Sequence, residues 1–127
     1  DTVNMASRLE GVGKNYHVEL TISEEAVAAA GVQNSPELME LDKIILKGKT
    51  HPTRIFTMLD TSQIGQAQFY KSGLQHYYEG NWSLALESFK KALTISASET
   101  MINRCEQALQ KGGLDNWRNG AWVYDTK

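Results

Sequence analysis

This sequence has a single cysteine, no long apolar run and no large excess of either charge. Cys105 is the single cysteine, which excludes an intrachain disulfide and favours a reducing compartment. No apolar run approaches the roughly 20 residues needed to cross a bilayer, and no signal-peptide pattern is present. The sequence therefore predicts a cytoplasmic protein, with any membrane anchor of a longer parent chain lying upstream.

The balance of charge argues against nucleic acid as a partner. Lys and Arg number 13 against 15 Asp and Glu, which gives a formal net charge of -2. Phosphate backbones are held mainly by clustered Lys and Arg, and neither half of the chain has such an excess. With 41% hydrophobic and 22% charged residues, the 127 residues suit one modest globular domain or two small units.

The chain enters a helical pattern at its first residues, which predicts a fragment of a longer protein. Apolar spacing indicates a helix over residues 3–10, and Gly11 and Gly13 are expected to end it because glycine accepts the left-handed conformation. Alternating apolar and polar residues then predict a strand over 18–22.

A second helix and two further strands are predicted before residue 60. The helix begins after the hydroxyl cap of Ser23 and runs to Gly31. Strands are predicted over 37–46 and 54–59, with a tight turn at 47–49 between them. The order helix, strand, helix, strand, strand is typical of the tail of an α/β or α+β domain. The sheet lacks enough strands to close a core, so the fragment is expected to rearrange around the later helices or to self-associate.

From about residue 62 helical periodicity replaces the strand pattern. A turn at 79–81 separates two predicted helices, which resemble one tetratricopeptide-type repeat. A capping helix follows over 98–111 and ends at Gly112. The small and aromatic inward positions of the pair are Phe69, Gly73, Tyr77, Trp82, Ala85, Phe89 and Ala92, and an aromatic tail contains Trp117, Trp122 and Tyr124. The chain is thus divided into units 1–60 and 61–127.

Several chemically suggestive residues have simpler structural interpretations. His17, His51 and His76 lack Cys or acidic partners at metal-ligand spacing, so no metal site is predicted among them. Cys105 lies on the apolar face of the third helix and is interpreted as a packing residue. The aromatic stripe of the helical unit is interpreted as core, because peptide-binding grooves of this kind need several stacked repeats. Trp117 and Trp122 are expected to cover an otherwise exposed seam.

Two motifs carry a resemblance to a known family. Residues 1–10 read DTVNMASRLE, and residues 41–49 read LDKIILKGK, followed by Pro52 and RIF at 54–56. In this order, with SEE at 23–25 between them, the motifs resemble those of class III nucleotidyl cyclases, that is, adenylate and guanylate cyclases. The resemblance covers residues 1 to about 59. It implies an α+β fold, in which the C-terminal part of a ferredoxin-like cyclase domain precedes the all-helical repeat-like extension.

The resemblance also implies a reaction and three site residues. Class III cyclases join the ribose 3′-oxygen to the α-phosphate of a nucleoside triphosphate and expel pyrophosphate. By resemblance, Asn4 orients the ribose, Arg8 stabilises the transition state at the α-phosphate, and Lys47 grips the terminal phosphates. Spacing agrees with this, since Asn4 and Arg8 share one face of a helix. A guanidinium fork also suits a phosphate better than an ammonium does.

Other parts of the family's active site lie outside this sequence. The family's two aspartates that bind Mg²⁺ or Mn²⁺, and the residues that select the base, belong upstream. ATP or GTP is therefore the expected substrate, with cAMP favoured over cGMP as the product. Family active sites form between two catalytic domains, so a second cyclase domain, in a homodimer, is the expected partner, and this chain alone is expected to be inactive.

Two hypotheses from different classes remain open. The favoured one is a cyclase half-site with a helical extension that aids dimerisation or regulation. Some bacterial cyclases carry such an extension, ending in an aromatic segment similar to residues 115–127, so residue 127 is interpreted as the natural C-terminus. The alternative is a protein-interaction module with a non-catalytic cyclase remnant.

Overall fold

Six α-helices and five strands make up the described part of the chain. A computed structural model describes residues 2–124, with side chains from residue 8 onward. The helices are α1 Thr2–Gly13, α2 Glu24–Ala30, α3 Thr61–Ile64, α4 Ala67–Tyr78, α5 Trp82–Phe89 and α6 Ala97–Lys111, and a 3₁₀ turn spans Lys14–Tyr16. The strands are β1 Ile22–Ser23, β2 Leu38–Ile45, β3 Thr53–Met58, β4 Trp117–Arg118 and β5 Ala121–Val123. The predicted α+β class is confirmed. Between residues 2 and 124, every helix is too short or too polar to span a bilayer.

All five strands belong to one mixed sheet. Their order is β1-β3-β2-β5-β4, in which β5 runs parallel to β2 and the other pairs are antiparallel. The aromatic tail therefore forms part of the sheet and covers one edge of β2. One hydrophobic core contains side chains from both predicted units, with Leu41 and Ile55 of the sheet beside Tyr70 and Met101 of the helices. The division at residue 60 stays a prediction.

The prediction that Gly11 and Gly13 end the first helix in the left-handed conformation is wrong. Gly11 lies inside α1, and Gly13, its last residue, has a right-handed φ of -56°, so that a 3₁₀ turn continues the helix. The left-handed residue that ends this segment is His17, with φ 58°. Gly13 instead permits a close approach between chain segments. A Cβ at this position would lie 2.1 Å from Thr21 Oγ1, far inside van der Waals contact.

The predicted strand over 18–22 is also wrong for most of its length. Only Ile22 and Ser23 pair with β3. Upstream, the Leu20 carbonyl accepts a hydrogen bond of 2.7 Å from the Thr57 hydroxyl, so a side chain satisfies it in place of a backbone ladder. The Leu20 side chain is half exposed, which shows that the alternating pattern does not mark a buried face here.

The remaining elements of the first segment match their predictions. Ser23 caps α2, its hydroxyl accepting from the Ala26 N–H at 3.1 Å, and Gly31 ends the helix with φ 69°. The strands β2 and β3 begin and end within one or two residues of the predicted bounds. Their register shifts at a bulge between Glu40 and Asp42.

The helices α4 and α5 form the predicted antiparallel pair. Gly80, with φ 78°, lies in the turn between them. The Phe89 ring occupies the space beside Gly73, where a Cβ would lie 2.8 Å from two ring carbons. Within the aromatic stripe Tyr77 and Phe89 are fully buried, while Phe69 and Trp82 pack at its margin, so the core interpretation holds. Helix α5 ends at Phe89, short of the predicted inward residue Ala92, which is nevertheless buried.

Replacing Gly73 with alanine is expected to lower the free energy of unfolding by about 1–3 kcal/mol. The added methyl group must displace the buried Phe89 ring, and overpacking of this kind outweighs the gain in helix propensity. Urea denaturation measures the difference. Gly11→Ala is the matched control, since α1 has open space where that Cβ would go, and we expect it to be neutral or stabilising. Equal effects of the two substitutions would contradict the packing argument.

Candidate functional site

Arg8 and Lys47 meet although they are 39 residues apart in sequence. The Arg8 guanidinium donates a hydrogen bond to the main-chain carbonyl of Lys47. Arg8 extends from α1, and Lys47 begins the turn that follows β2. The structure therefore brings together the two sequence motifs at one end of the sheet. Because a guanidinium carries five N–H donors, this bond leaves others for a ligand.

The turn that carries Lys47 is tight and open to solvent. Gly48 adopts φ 82°, and the Lys49 N–H donates to the Leu46 carbonyl at 2.9 Å. The side chain of Lys47 is exposed, as is that of Lys49. Two positive side chains, Arg8 and Lys47, are thus carried by adjoining segments at the surface. This arrangement is chemically suited to an anion with several phosphate groups.

Asn4 lies in the same helix as Arg8, four residues earlier. Residues four apart in a helix share a face, so the backbone of α1 places both positions on one side. The Asn4 side chain lies outside the described part of the structure. Its predicted role therefore stays a prediction.

The core contains a buried ionic cluster that sequence reasoning did not identify. Asp42 of β2 is completely buried, and Arg104 of α6 is 6% exposed. Arg104 Nη1 lies 2.7 Å from Asp42 Oδ2, and the Tyr16 hydroxyl donates to the same oxygen at 2.6 Å. Asp42 Oδ1 accepts from the Lys43 N–H at 2.8 Å. The cluster joins β2, α6 and the end of the α1 segment.

Aromatic side chains enclose the Arg104 guanidinium. The centroid of the Trp122 ring lies 3.8 Å from the guanidinium carbon, and the centroid of the Tyr16 ring lies 5.2 Å from it. The hydroxyl of Tyr77 is 3.2 Å from Nη1, and that of Tyr16 is 3.1 Å from Nη2. Trp122 therefore covers a buried cation, which gives the predicted seam-covering tryptophan a definite partner. Trp117 packs edge-on against Trp82, with ring centroids 5.1 Å apart.

Burial raises the pKa of the Asp42 carboxyl, while the Arg104 guanidinium and the hydroxyl of Tyr16 oppose that increase. The result is an ion pair that is costly to bury and that depends on each of its donors. Nothing in the cluster is accessible to a substrate. Its chemistry is that of a structural link between the sheet and the helical extension.

The sequence contained weak signals for this cluster. Asp42 interrupts an apolar strand pattern, and Arg104 lies on the apolar face of α6 between Met101 and Cys105. A clearer signal was missed in the tail, where Asn119 and Gly120 stand between two tryptophan-containing strands. Asn-Gly between short strands is the strongest local signal for a β-hairpin, and both residues have the positive φ that such a turn requires.

Clusters of metal ligands and the state of Cys105 can be stated for the described residues. Between residues 2 and 124, nowhere do three or more His, Cys, Asp or Glu side chains converge as metal ligands would. Cys105 is buried in the core, and burial raises the pKa of its thiol to about 12. Because the thiolate is the reactive form, the interpretation of Cys105 as a packing residue fits its surroundings.

No protein-family model, curated protein or solved structure matches this chain. The family resemblance therefore rests on the two sequence motifs.

Proposed function

We propose that this chain is part of a class III nucleotidyl cyclase and donates Arg8, Lys47 and Asn4 to the site that forms a cyclic nucleotide and pyrophosphate. The observation that carries the proposal is the contact of the Arg8 guanidinium with the Lys47 carbonyl. It joins the two motifs on which the resemblance depends. By the same resemblance, residues 1–60 correspond to the end of a ferredoxin-like cyclase domain and residues 61–127 to a repeat-like extension.

The roles of the two positive side chains follow from where charge develops. When the ribose 3′-oxygen attacks the α-phosphate, negative charge moves onto phosphate oxygens and the departing pyrophosphate. Fixed donors aimed at that charge lower the barrier because they need no reorganisation during the reaction. Arg8 is restrained by its bond to the Lys47 carbonyl, so its remaining N–H groups are pre-oriented. Lys47, in an exposed turn, is suited to the terminal phosphates.

The described residues do not fit the family's divalent cations. Arg8 and Lys47 are themselves cations, and carboxylates do not converge as metal ligands between residues 2 and 124. By the resemblance, the ligands for Mg²⁺ or Mn²⁺ belong to residues upstream of this sequence. A second cyclase domain, in a homodimer, would complete the composite site.

Arg8→Ala is expected to lower cyclic nucleotide formation by about 10²-fold or more, because it removes a donor to the transition state. The measurement uses the chain extended upstream through the catalytic domain, supplied with ATP or GTP and Mg²⁺ or Mn²⁺. Lys47→Ala should reduce activity severely, whereas Lys49→Ala, its matched control in the same turn, should change it less than twofold. Equal losses for Lys47→Ala and Lys49→Ala would contradict the assigned roles.

A protein-interaction module is the second candidate. Leu84, Leu93 and Leu109 of the helical extension are about half exposed or more, as residues of a binding surface would be. Absence of product from a folded, dimeric, extended chain would favour this function over the cyclase.

A further inference from the structure

The C-terminal strand lies against the end of β2, directly before the Lys47 turn. Trp122 and Val123 pair in parallel with Ile44 and Ile45. The Tyr124 N–H then donates to the Ile45 carbonyl at 2.8 Å. Only Leu46 separates this hydrogen bond from Lys47.

The side chain of Tyr124 reaches the other element of the candidate site. Its hydroxyl donates to the Tyr16 hydroxyl at 3.1 Å and lies 3.5 Å from Asn15 Nδ2. Asn15 and Tyr16 belong to the 3₁₀ turn that continues α1, the helix that carries Arg8. A single residue is therefore bonded to the end of β2 through its backbone and to the end of the Arg8 helix through its side chain.

Further hydrogen bonds surround this connection. The Asn116 carbonyl accepts from the Val123 N–H at 2.7 Å, and Asn116 Nδ2 donates to the Val123 carbonyl at 2.8 Å. Helix α6 contacts the same turn, where the Ser96 hydroxyl donates to the His17 carbonyl at 2.8 Å and the Thr100 hydroxyl donates to the Asn15 carbonyl. The end of α1 is therefore bonded along one side by the extension.

We propose that the C-terminal segment, through Tyr124, sets the position of the Arg8 helix relative to the Lys47 turn. Tyr124 is a positioning residue, because it acts through its hydrogen bonds to Ile45 and Tyr16. An α-helix transmits the placement of its end along its axis, and Arg8 lies about two turns from Tyr16. The catalytic consequence rests on the proposed cyclase function, whereas the positioning itself does not.

Amide hydrogen exchange in the full 127-residue chain tests the positioning without any substrate. Tyr124→Phe keeps the ring and removes the hydroxyl. The amides of His17 and Val18 are hydrogen-bonded at the end of the α1 segment, and the amide of Lys49 is hydrogen-bonded in the Lys47 turn. We expect these three amides to exchange about fivefold faster, which is the effect of losing one hydrogen bond. The matched control is Ser98→Ala, which removes a buried hydroxyl bond of 2.7 Å to Ala92 inside the extension, and it should leave these amides unchanged.

Turnover in the upstream-extended chain separates this inference from the proposed function. Tyr124→Phe should lower kcat about five- to tenfold with KM changed less than twofold, because small displacements of a transition-state donor reduce rate strongly. If exchange accelerates while the unmutated protein forms no cyclic nucleotide, the cyclase proposal fails and the positioning stands. If the unmutated protein is active and Tyr124→Phe alters exchange only at residues 121–124, the positioning inference is overturned and the cyclase proposal stands.

Discussion

Raising the pH from 10 to 11 is expected to remove roughly 3 kcal/mol or more from the free energy of unfolding. The chain has five tyrosines, and all of them have a pKa above the ordinary value of about 10 because burial disfavours the phenolate. Unfolded phenols release their protons above pH 10, while folded ones keep them. The folded state then binds more protons than the unfolded state, so stability falls as pH rises.

The size of the effect follows from the three fully buried phenols, Tyr16, Tyr70 and Tyr77. An unfolded phenol is half ionised at pH 10 and about nine-tenths ionised at pH 11, so each contributes about 1 kcal/mol over this interval, which gives roughly 3 kcal/mol for three. The Cys105 thiol, with its pKa raised to about 12, adds to the decline from about pH 9. Urea denaturation at stepped pH measures the slope, and phenolate absorbance measures ionisation in the folded protein.

Tyr70→Phe provides the control for this prediction. It removes one buried phenol, so the loss between pH 10 and 11 should decrease by about 1 kcal/mol. Its hydroxyl donates to the Leu41 carbonyl at 2.8 Å, so a pH-independent loss of about 1 kcal/mol is expected as well. Phenolate absorbance that rises near pH 10 in a protein of unchanged stability would contradict the prediction.

Arg104→Ala is expected to lower the free energy of unfolding by about 3–5 kcal/mol. Asp42 would then be a completely buried carboxyl without its charged partner, and it would have to bear an uncompensated charge or take up a proton, both of which cost free energy. The substitution also removes the cation beneath the Trp122 ring. Urea denaturation at neutral pH measures the loss.

Two further variants isolate the cause. Arg54 also pairs with a carboxylate at 2.6 Å, that of Glu40, but its side chain is 41% exposed. Arg54→Ala should therefore cost only about 1 kcal/mol or less. In the double variant Asp42→Leu with Arg104→Met, no buried charge remains, and most of the stability lost in Arg104→Ala should return. A cost for Arg104→Ala no greater than that for Arg54→Ala would refute the interpretation.

Local patterns predicted those elements whose boundaries are set by local chemistry. Helix α2 begins after the Ser23 cap and ends at the left-handed Gly31, and both signals act on residues only a few positions away. The spacing of small and aromatic residues similarly predicted the helix pair, because Gly73 and Phe89 face each other across it. These features depend on neighbours close in the chain or on helical periodicity.

The elements that were missed depend on distant partners. The expected strand over 18–22 is reduced to Ile22 and Ser23 because β3 offers pairing only there. The parallel pairing of β5 with β2, and the ion pair of Asp42 with Arg104, join residues far apart in sequence. The periodicity of apolar residues along one segment does not indicate which distant segment that segment will pair with. The contact of Arg8 with Lys47 was not predicted either. The family resemblance assigned both residues to one site, but neither residue's sequence neighbours indicate that its partner is the other.

The parallel pairing of β5 with β2 also imposes an order on biosynthesis. The Arg8 helix and the Lys47 turn are translated before their partners, because the strand bonded beside that turn and the hydroxyl bonded beyond α1 belong to residues 122–124. A ribosome must therefore translate past residue 124 before these pairings can form. Domains generally fold from the N-terminus during synthesis, but here the earlier segments wait for a later strand. Messages broken before the codon for residue 122 would consequently yield chains that lack these pairings.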